Sequence, residues 1–451
     1  MILIRSKTTK TLLFAAAFCL LTSFSTFASA DAVRELNYKV ERIDGETPRY
    51  RIELKFKGEA DGSTDIELPN EWGGQRELFK AIRELRVTSS DASLTDTDEP
   101  HRKAITHPPG AELAIEYYLV QDFTGPLRNN IRYRPVVDKK FIHWIGHTVW
   151  VRPAMSQEEI VDARFDWRGL PRDWKFANSY GIETRIQKRR LSLDDLCRSV
   201  TVAGDFRVTT IKAGKDPVHV AIRGAWNFKD EELAQMAGRV INSQRKFWKD
   251  HSQKYFLVTL IPIDEGPNSY SFGGTGLLDS FALFATPNAQ VSLLRGLLAH
   301  EYFHNWNPLK LGKMPDAEQS MYWLSEGFTE FYAYELLHRN RIISAEEYIA
   351  EVNQRIKEYY TSPVRTDPNT RIVEDFWNDG AVGRLPYLRG MIFAMNLNAA
   401  IKNATSGRNS LDDLMHDLNA EYKSSKRVLT PELIKHAAAR YLGGGSDDFA
   451  V

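Results

Sequence analysis

The sequence predicts a chain of two unlike parts, an antiparallel β-domain followed by an α+β region made mainly of helices. Three observations carry that expectation. Apolar and polar residues alternate strictly through Tyr50-Arg-Ile-Glu-Leu-Lys-Phe-Lys57, and Leu113, Ile115, Tyr117 and Leu119 alternate with their neighbours in the same way, a period of two that belongs to half-buried strands. Beyond Asp230 the apolar residues Leu233, Met236, Val240, Ile241 and Phe247 recur at helical spacing. Between the two patterns, Ala213-Gly-Lys-Asp-Pro217 breaks the composition. With 451 residues the chain is long enough for two or three domains, each burying its own core. The expected division is 1–30, 31–213 and 214–451.

The first segment has the form of an export signal. Arg5, Lys7 and Lys10 precede an apolar stretch from Leu12 to Leu21, and Ala28-Ser29-Ala30 offers small residues for cleavage. The stretch is too short to span a hydrocarbon core of about 30 Å. The expectation is export to the periplasm or beyond, with no stable membrane insertion after cleavage. Loss of residues 1–30 leaves 56 basic residues against 59 acidic ones and removes Cys19. Cys197 is then the only cysteine, so no internal disulfide forms, and in Leu-Asp-Asp-Leu-Cys it reads as buried filler.

Through residues 31–213, clusters such as Asp61-Gly-Ser, His107-Pro-Pro-Gly and Pro126-Leu-Arg-Asn-Asn separate the strands. His143 and His147 imitate the spacing of metal ligands, but Gly146 and Thr148-Val-Trp-Val indicate a strand, where packing is the expected role. Downstream, helices are expected at 230–249, 321–338, 345–361, 388–402 and 410–421, with Ser410 as an N-cap, and a buried strand from Phe256. The Gly443-Gly-Gly-Ser-Asp-Asp tail is expected to fray. The 59 basic and 59 acidic residues balance, which argues against a nucleic-acid surface, and Arg185-Ile-Gln-Lys-Arg-Arg190 reads as a solvated face.

The chemistry concentrates in Leu297-Leu-Ala-His-Glu-Tyr-Phe-His-Asn-Trp306. Two histidines four apart share one face of a helix, so His300 and His304 can point at a single ion with Glu301 beside them as a general base. Twenty-two residues after His304 comes Glu326, within Trp-Leu-Ser-Glu-Gly-Phe-Thr-Glu. Catalytic zinc takes three protein ligands and leaves a fourth position for water. His300, His304 and Glu326 would supply the three for one Zn2+ ion. Thr329 and Glu330, one turn on, are candidates to orient them.

These segments, with Tyr387-Leu-Arg-Gly390 and Ser410-Leu-Asp-Asp-Leu, resemble the glycyl aminopeptidase family of exported zinc peptidases, relatives of the aminopeptidase N and thermolysin-like groups. The resemblance covers most of the chain after residue 30. It implies a β-sandwich-like domain, a thermolysin-like catalytic domain, a peptide or protein substrate, and Tyr387 as the group that stabilises the oxyanion. It further implies that Gly273, Gly274, Thr275 and Gly276 form an edge strand that holds the peptide. Family members carry Gly-Gly-x-Glu-His here, the glutamate binding the substrate's free amino terminus. This chain has Gly276 and Leu277 at those two places, with Asp264, Glu265 and Asp279 as other acids nearby in sequence. The PDZ domain that family members often append has no counterpart after Gly443. An altered aminopeptidase, an endopeptidase-like enzyme and a weakly catalytic peptide-binding protein are the three readings this leaves.

Overall fold

Alternation along the first strands is realised residue by residue. In the computed structural model, which describes residues 33–425 and 427–443, Leu36, Tyr38 and Val40 turn inward from Arg34–Ile43, and Tyr50, Ile52, Leu54 and Phe56 do so from Arg49–Lys57. A six-stranded sheet runs in the order Ile186–Ser192, Ile160–Arg168, Arg34–Ile43, Arg49–Lys57, Glu112–Leu119, Ile82–Val87. A four-stranded and a five-stranded sheet complete the β region. The expectation of an antiparallel domain fails at one pairing, because Arg34–Ile43 lies parallel to Ile160–Arg168. A period of two sets which face of a strand is apolar; it says nothing about the direction of the neighbour, which a long connection is free to reverse. The core between the sheets is aromatic, with Tyr38, Trp150, Phe165, Trp167 and Tyr180 in mutual ring contact. Cys197 lies buried in this core and burial pushes its thiol up to about 11, as befits a packing residue.

The second part is built on a five-stranded mixed sheet in the order Arg207–Ala213, Asp216–Ile222, Leu257–Pro262, Ser280–Ala285, Phe272–Leu277. Its first two strands form a hairpin, so a division at 213/214 cuts through the turn. The composition break at Ala213-Gly-Lys-Asp-Pro217 marks that hairpin, and Arg207–Ala213 belongs with the mixed sheet. Leu257–Pro262 pairs in parallel on both sides and is buried along nearly its whole length, which explains its unbroken apolar run. One face of this sheet packs on helices. The other shares a core with the β region, where Tyr133, Val136, Ile145, Val202 and Phe206 meet Leu257, Ile261, Ala282 and Phe284.

Helices occupy Asp230–Trp248, Val291–Phe303, Ala345–Thr361 and Leu411–Ser425 close to expectation. Ser344 and Glu347 form a reciprocal cap at the third of these, and Ser410 takes the backbone N–H of Asp412 at the fourth. The helix expected at 388–402 begins at Gly380, where the Asp379 carboxylate caps it, and it runs on through Pro386 to Ala404. The helix expected at 321–338 is broken at Glu326 into Tyr322–Ser325 and Gly327–Arg339. No helix among the described residues is long and apolar enough to cross a membrane. The expected export segment and fraying tail lie outside the described residues.

Candidate active site

The helix Val291–Phe303 carries His300 in its last turn, and His304 closes it with helical backbone angles, so both imidazoles project from one side. Glu326 reaches them from the break between the two shorter helices. The break has a packing cause. A Cβ on Gly390 would fall 2.1 Å from the Trp323 carbonyl oxygen, and one on Gly327 would fall 2.3 Å from the Gly390 Cα. Only glycines allow the helix Gly380–Ala404 to cross so closely at the residue after Glu326. Tyr387 sits one turn before that crossing, and its ring stacks 5.6 Å from that of His300.

His300 Nε2 stands 3.2 Å from Glu326 Oε2 and 3.2 Å from His304 Nε2, and His304 Nε2 stands 3.4 Å from the same carboxylate oxygen. Tautomers follow from the other ring nitrogens. His304 Nδ1 is 2.8 Å from the Asn307 carbonyl oxygen, which can only accept, so Nδ1 carries the proton. His300 Nδ1 is 3.0 Å from Glu330 Oε2 and donates likewise. Two neutral imidazoles thus aim Nε2 lone pairs, together with a carboxylate oxygen, at one point. Three acceptors so close repel one another unless a cation lies between them. Ligands about 2.0–2.1 Å from a tetrahedral centre are about 3.3–3.4 Å apart, so the set fits zinc. It is the one such group of His, Cys, Asp and Glu among the described residues.

Charges around the site follow the same logic. With no cation, burial would lower His300, but its hydrogen bonds to the Glu326 and Glu330 carboxylates outweigh it and push the imidazole up to about 10. Burial likewise raises Glu326, yet His304 and His300 hold its carboxyl well below the usual range. Glu330 is pulled down to about 2 against burial, by His300 first and then Arg355, whose Nε donates to it at 2.8 Å. Glu301 differs. Burial raises it, His304 and His300 offset this in part, and the Gly276 backbone N–H faces its carboxylate. The Tyr387 hydroxyl is raised strongly by burial and by the facing Glu326 and Glu301. A cleft of about 800 Å³ opens onto these groups, lined by Phe272, Leu297, Tyr334 and Arg384 among others.

Residues 293–377 match the model of the M61 glycyl aminopeptidase family. The match takes in the metal helix and the segment that carries Glu326. The peptidase fold is shared with an aminopeptidase N family protein from Idiomarina loihiensis, at 17% identity over 92% of this chain and 75% of that chain, with a TM-score of 0.74. It is shared also with an M1 zinc metallopeptidase from Deinococcus radiodurans bound to a Tyr-Ser-Ala substrate, at 14% identity over 93% of both chains, TM-score 0.54. A two-domain M1 zinc metallopeptidase bound to L-tryptophan matches at 14% identity over 91% of this chain and 90% of that chain, TM-score 0.52. No curated protein sequence matches this chain.

Other expected residues of the peptidase fall into place unequally. Gly273, Gly274, Thr275 and Gly276 do form the outer strand of the catalytic sheet, paired on one side only. Glu330 contacts His300 directly. Thr329 acts one step further out, its hydroxyl accepting from Asn307 Nδ2 at 3.0 Å. Asp264, Glu265 and Asp279 are engaged elsewhere, with the Gly266 N–H, the Asn129 N–H and Gln253. His143 bonds Thr259 at 3.2 Å, while the strand ends at Ile145 and His147 lies in a 3-10 turn, stacked on Trp72. Sequence reasoning missed Asn307, which is fully buried and ties the exit of the metal helix to the Leu324 and Ser325 carbonyls next to Glu326. Its place in His304-Asn-Trp-Asn307 was the available signal. Arg355 gave no local signal, because its link to His300 runs through Glu330 from a separate helix.

Proposed function

We propose that the chain is an exported enzyme that hydrolyses peptide bonds, with Glu301 as general base and Tyr387 as oxyanion partner, and without a strict requirement for a free amino terminus. The observation that carries the catalytic reading is the convergence of two imidazole lone pairs and one carboxylate at tetrahedral spacing, with a separate buried carboxylate beside them. When held by His300, His304 and Glu326, zinc supplies Lewis acidity and lowers the pKa of water at its open position. Glu301 takes the proton of the attacking water and returns it to the leaving amine; burial raises its pKa, which strengthens it as the acceptor of that proton. The Tyr387 hydroxyl donates to the oxygen that becomes negative as the carbonyl is attacked. The thermolysin-like description of this region is part of the same proposal, supported by the helix-on-sheet arrangement.

The loose amino-terminal requirement rests on Gly276. A Cβ built there would meet Glu301 only at 3.5 and 3.9 Å, ordinary contact, and the backbone is extended. Neither packing nor conformation demands glycine, so a side chain would fit where the resembling family has its amine-binding glutamate. None of the other acids weighed for that task replaces it. The discriminating assay uses paired peptides with free and acetylated amino termini, cut by wild type and Glu301→Gln. Comparable cleavage of both peptides by wild type alone is the expected result. Strong preference for the free amine would defeat the loosened requirement, and equal activity of the variant would defeat the catalytic assignment. Export through residues 1–30 is tested by sequencing the amino terminus of the protein recovered from the periplasm or medium, expected at Asp31.

A further inference from the structure

The outer strand Phe272–Leu277 is where a peptide would add to the catalytic sheet. Its alternate residues turn their polar groups outward: the Gly276 N–H faces Glu301, and the Gly274 carbonyl accepts from the Tyr133 hydroxyl at 2.8 Å. Gly276 and Gly274 share one face, the latter against Phe281. Gly273 shows the opposite face, and what lies against it is not a helix but Arg132 of the β region. A Cβ on Gly273 would fall 3.2 Å from Arg132 Nε, 3.3 Å from Cζ and 3.6 Å from Nη2. The guanidinium therefore lies flat along the strand, held over the Tyr133 ring at 4.4 Å.

Its hydrogen bonds leave one N–H group without a partner. Nη1 donates to the Asn129 carbonyl at 2.9 Å and to Asn129 Oδ1 at 2.8 Å, and Nη2 donates to the Tyr133 hydroxyl at 3.0 Å. Nε is buried and has no partner. Among the described residues no carboxylate pairs with this charge. A guanidinium offers five N–H groups, and the Nε–Nη2 edge is the one a carboxylate takes with two parallel bonds. The group is also well braced: Trp72 packs edge-on to Tyr133 at 5.1 Å, Gly73 closes on the same ring, and Gln75 Nε2 donates to the Asn130 carbonyl at 2.9 Å.

We propose that Arg132 is a specificity-determining residue that binds the acidic side chain of a peptide laid along Phe272–Leu277. The proposal rests on the peptidase reading of the neighbouring site. Successive side chains of an added strand point to opposite faces, so every second residue of the substrate faces the β region. The one beside Gly273 lies about 10 Å along the strand from Gly276 and Glu301, roughly three residues at 3.3 Å each. At that position glutamate or aspartate would accept from the unpartnered Nε–H, and lysine would meet an uncompensated positive charge.

The test is a set of peptides identical except for Glu, Gln or Lys at each position within four residues of the cleaved bond. Wild type is expected to favour Glu over Gln at one position by roughly tenfold or more in kcat/KM, mainly through KM. Arg132→Gln should abolish that preference, and Arg132→Glu should transfer it to Lys at the same position. Binding of the same peptides to Glu301→Gln protein, followed by calorimetry, separates recognition from turnover. Discrimination there without any wild-type cleavage would sink the peptidase reading and keep the Arg132 site. Equal binding of the Glu and Gln peptides at every position, or a Glu preference that persists in Arg132→Gln, would overturn the proposal.

Discussion

Two pairs of histidines in this chain share the same spacing, and among the described residues only one pair converges on a candidate metal site. His300 and His304 stand on a helix, where four residues make just over one turn, and carboxylates from two further helix segments meet them. His143 and His147 begin on a strand that gives way to a 3-10 turn after Ile145, so one packs against Thr259 and the other on Trp72. Their electrostatics diverge accordingly. Burial with no anionic partner pushes His143 and His147 each down to about 3, whereas with no cation bound Glu326 and Glu330 hold His300 up at about 10. Spacing becomes a ligand set only when the backbone period matches it and a carboxylate arrives from elsewhere.

The sharpest way to break the contrast is to substitute one member of each pair. His304→Gln is expected to lose bound zinc and to lower turnover by roughly 1,000-fold or more, while His147→Gln keeps near-stoichiometric zinc by metal analysis. Equal zinc loss in both would erase the distinction. Next in size, Tyr387→Phe should reduce kcat by roughly 100- to 1,000-fold with KM and zinc content little changed, since the hydroxyl acts on charge that develops during reaction. A change confined to KM would assign the hydroxyl to ground-state binding instead.

A smaller effect is expected from Glu330→Gln, which keeps the side chain's shape and removes the charge facing His300 Nδ1. Zinc affinity, measured by competition with a chelator, should fall roughly 10- to 100-fold; unchanged affinity would reduce Glu330 to a packing role. The last test concerns the other pair. An unfolded histidine takes up its proton near pH 6.5, whereas buried His143 refuses it until about 3. Its folded pKa is depressed, so stability is lost as pH falls from about 6.5 towards 3, by about 2 kcal/mol between pH 7 and pH 5. Urea unfolding of wild type and His143→Gln at both pH values should show a shallower loss in the variant. Identical losses would mean that His143 is not held neutral.

What was legible locally can be traced to particular residues. Alternation in Tyr50–Lys57 and helical recurrence in Asp230–Trp248 identify elements because the faces of a strand or helix are set by the chain's own repeat. The parallel pairing of Arg34–Ile43 with Ile160–Arg168 was not legible, since a strand's pattern carries no record of its neighbour's direction. Nor was the hairpin across residue 213, where turn residues imitate a domain boundary.

The sequence by itself pointed to His300, His304 and Glu326 as candidate ligands and to Glu301 as the proposed base, because the histidines and Glu301 share one helix whose period fixes where they point. It also determined that no glutamate stands at position 276. Only the tertiary structure decided that Gly390 lets Tyr387 close on the metal site and that Glu330 and Arg355 back His300. The same holds for Arg132, which lies against the strand where a substrate would bind. Those contacts join residues far apart in the chain, and side-chain packing between separate elements leaves no periodic trace in the residues that make it.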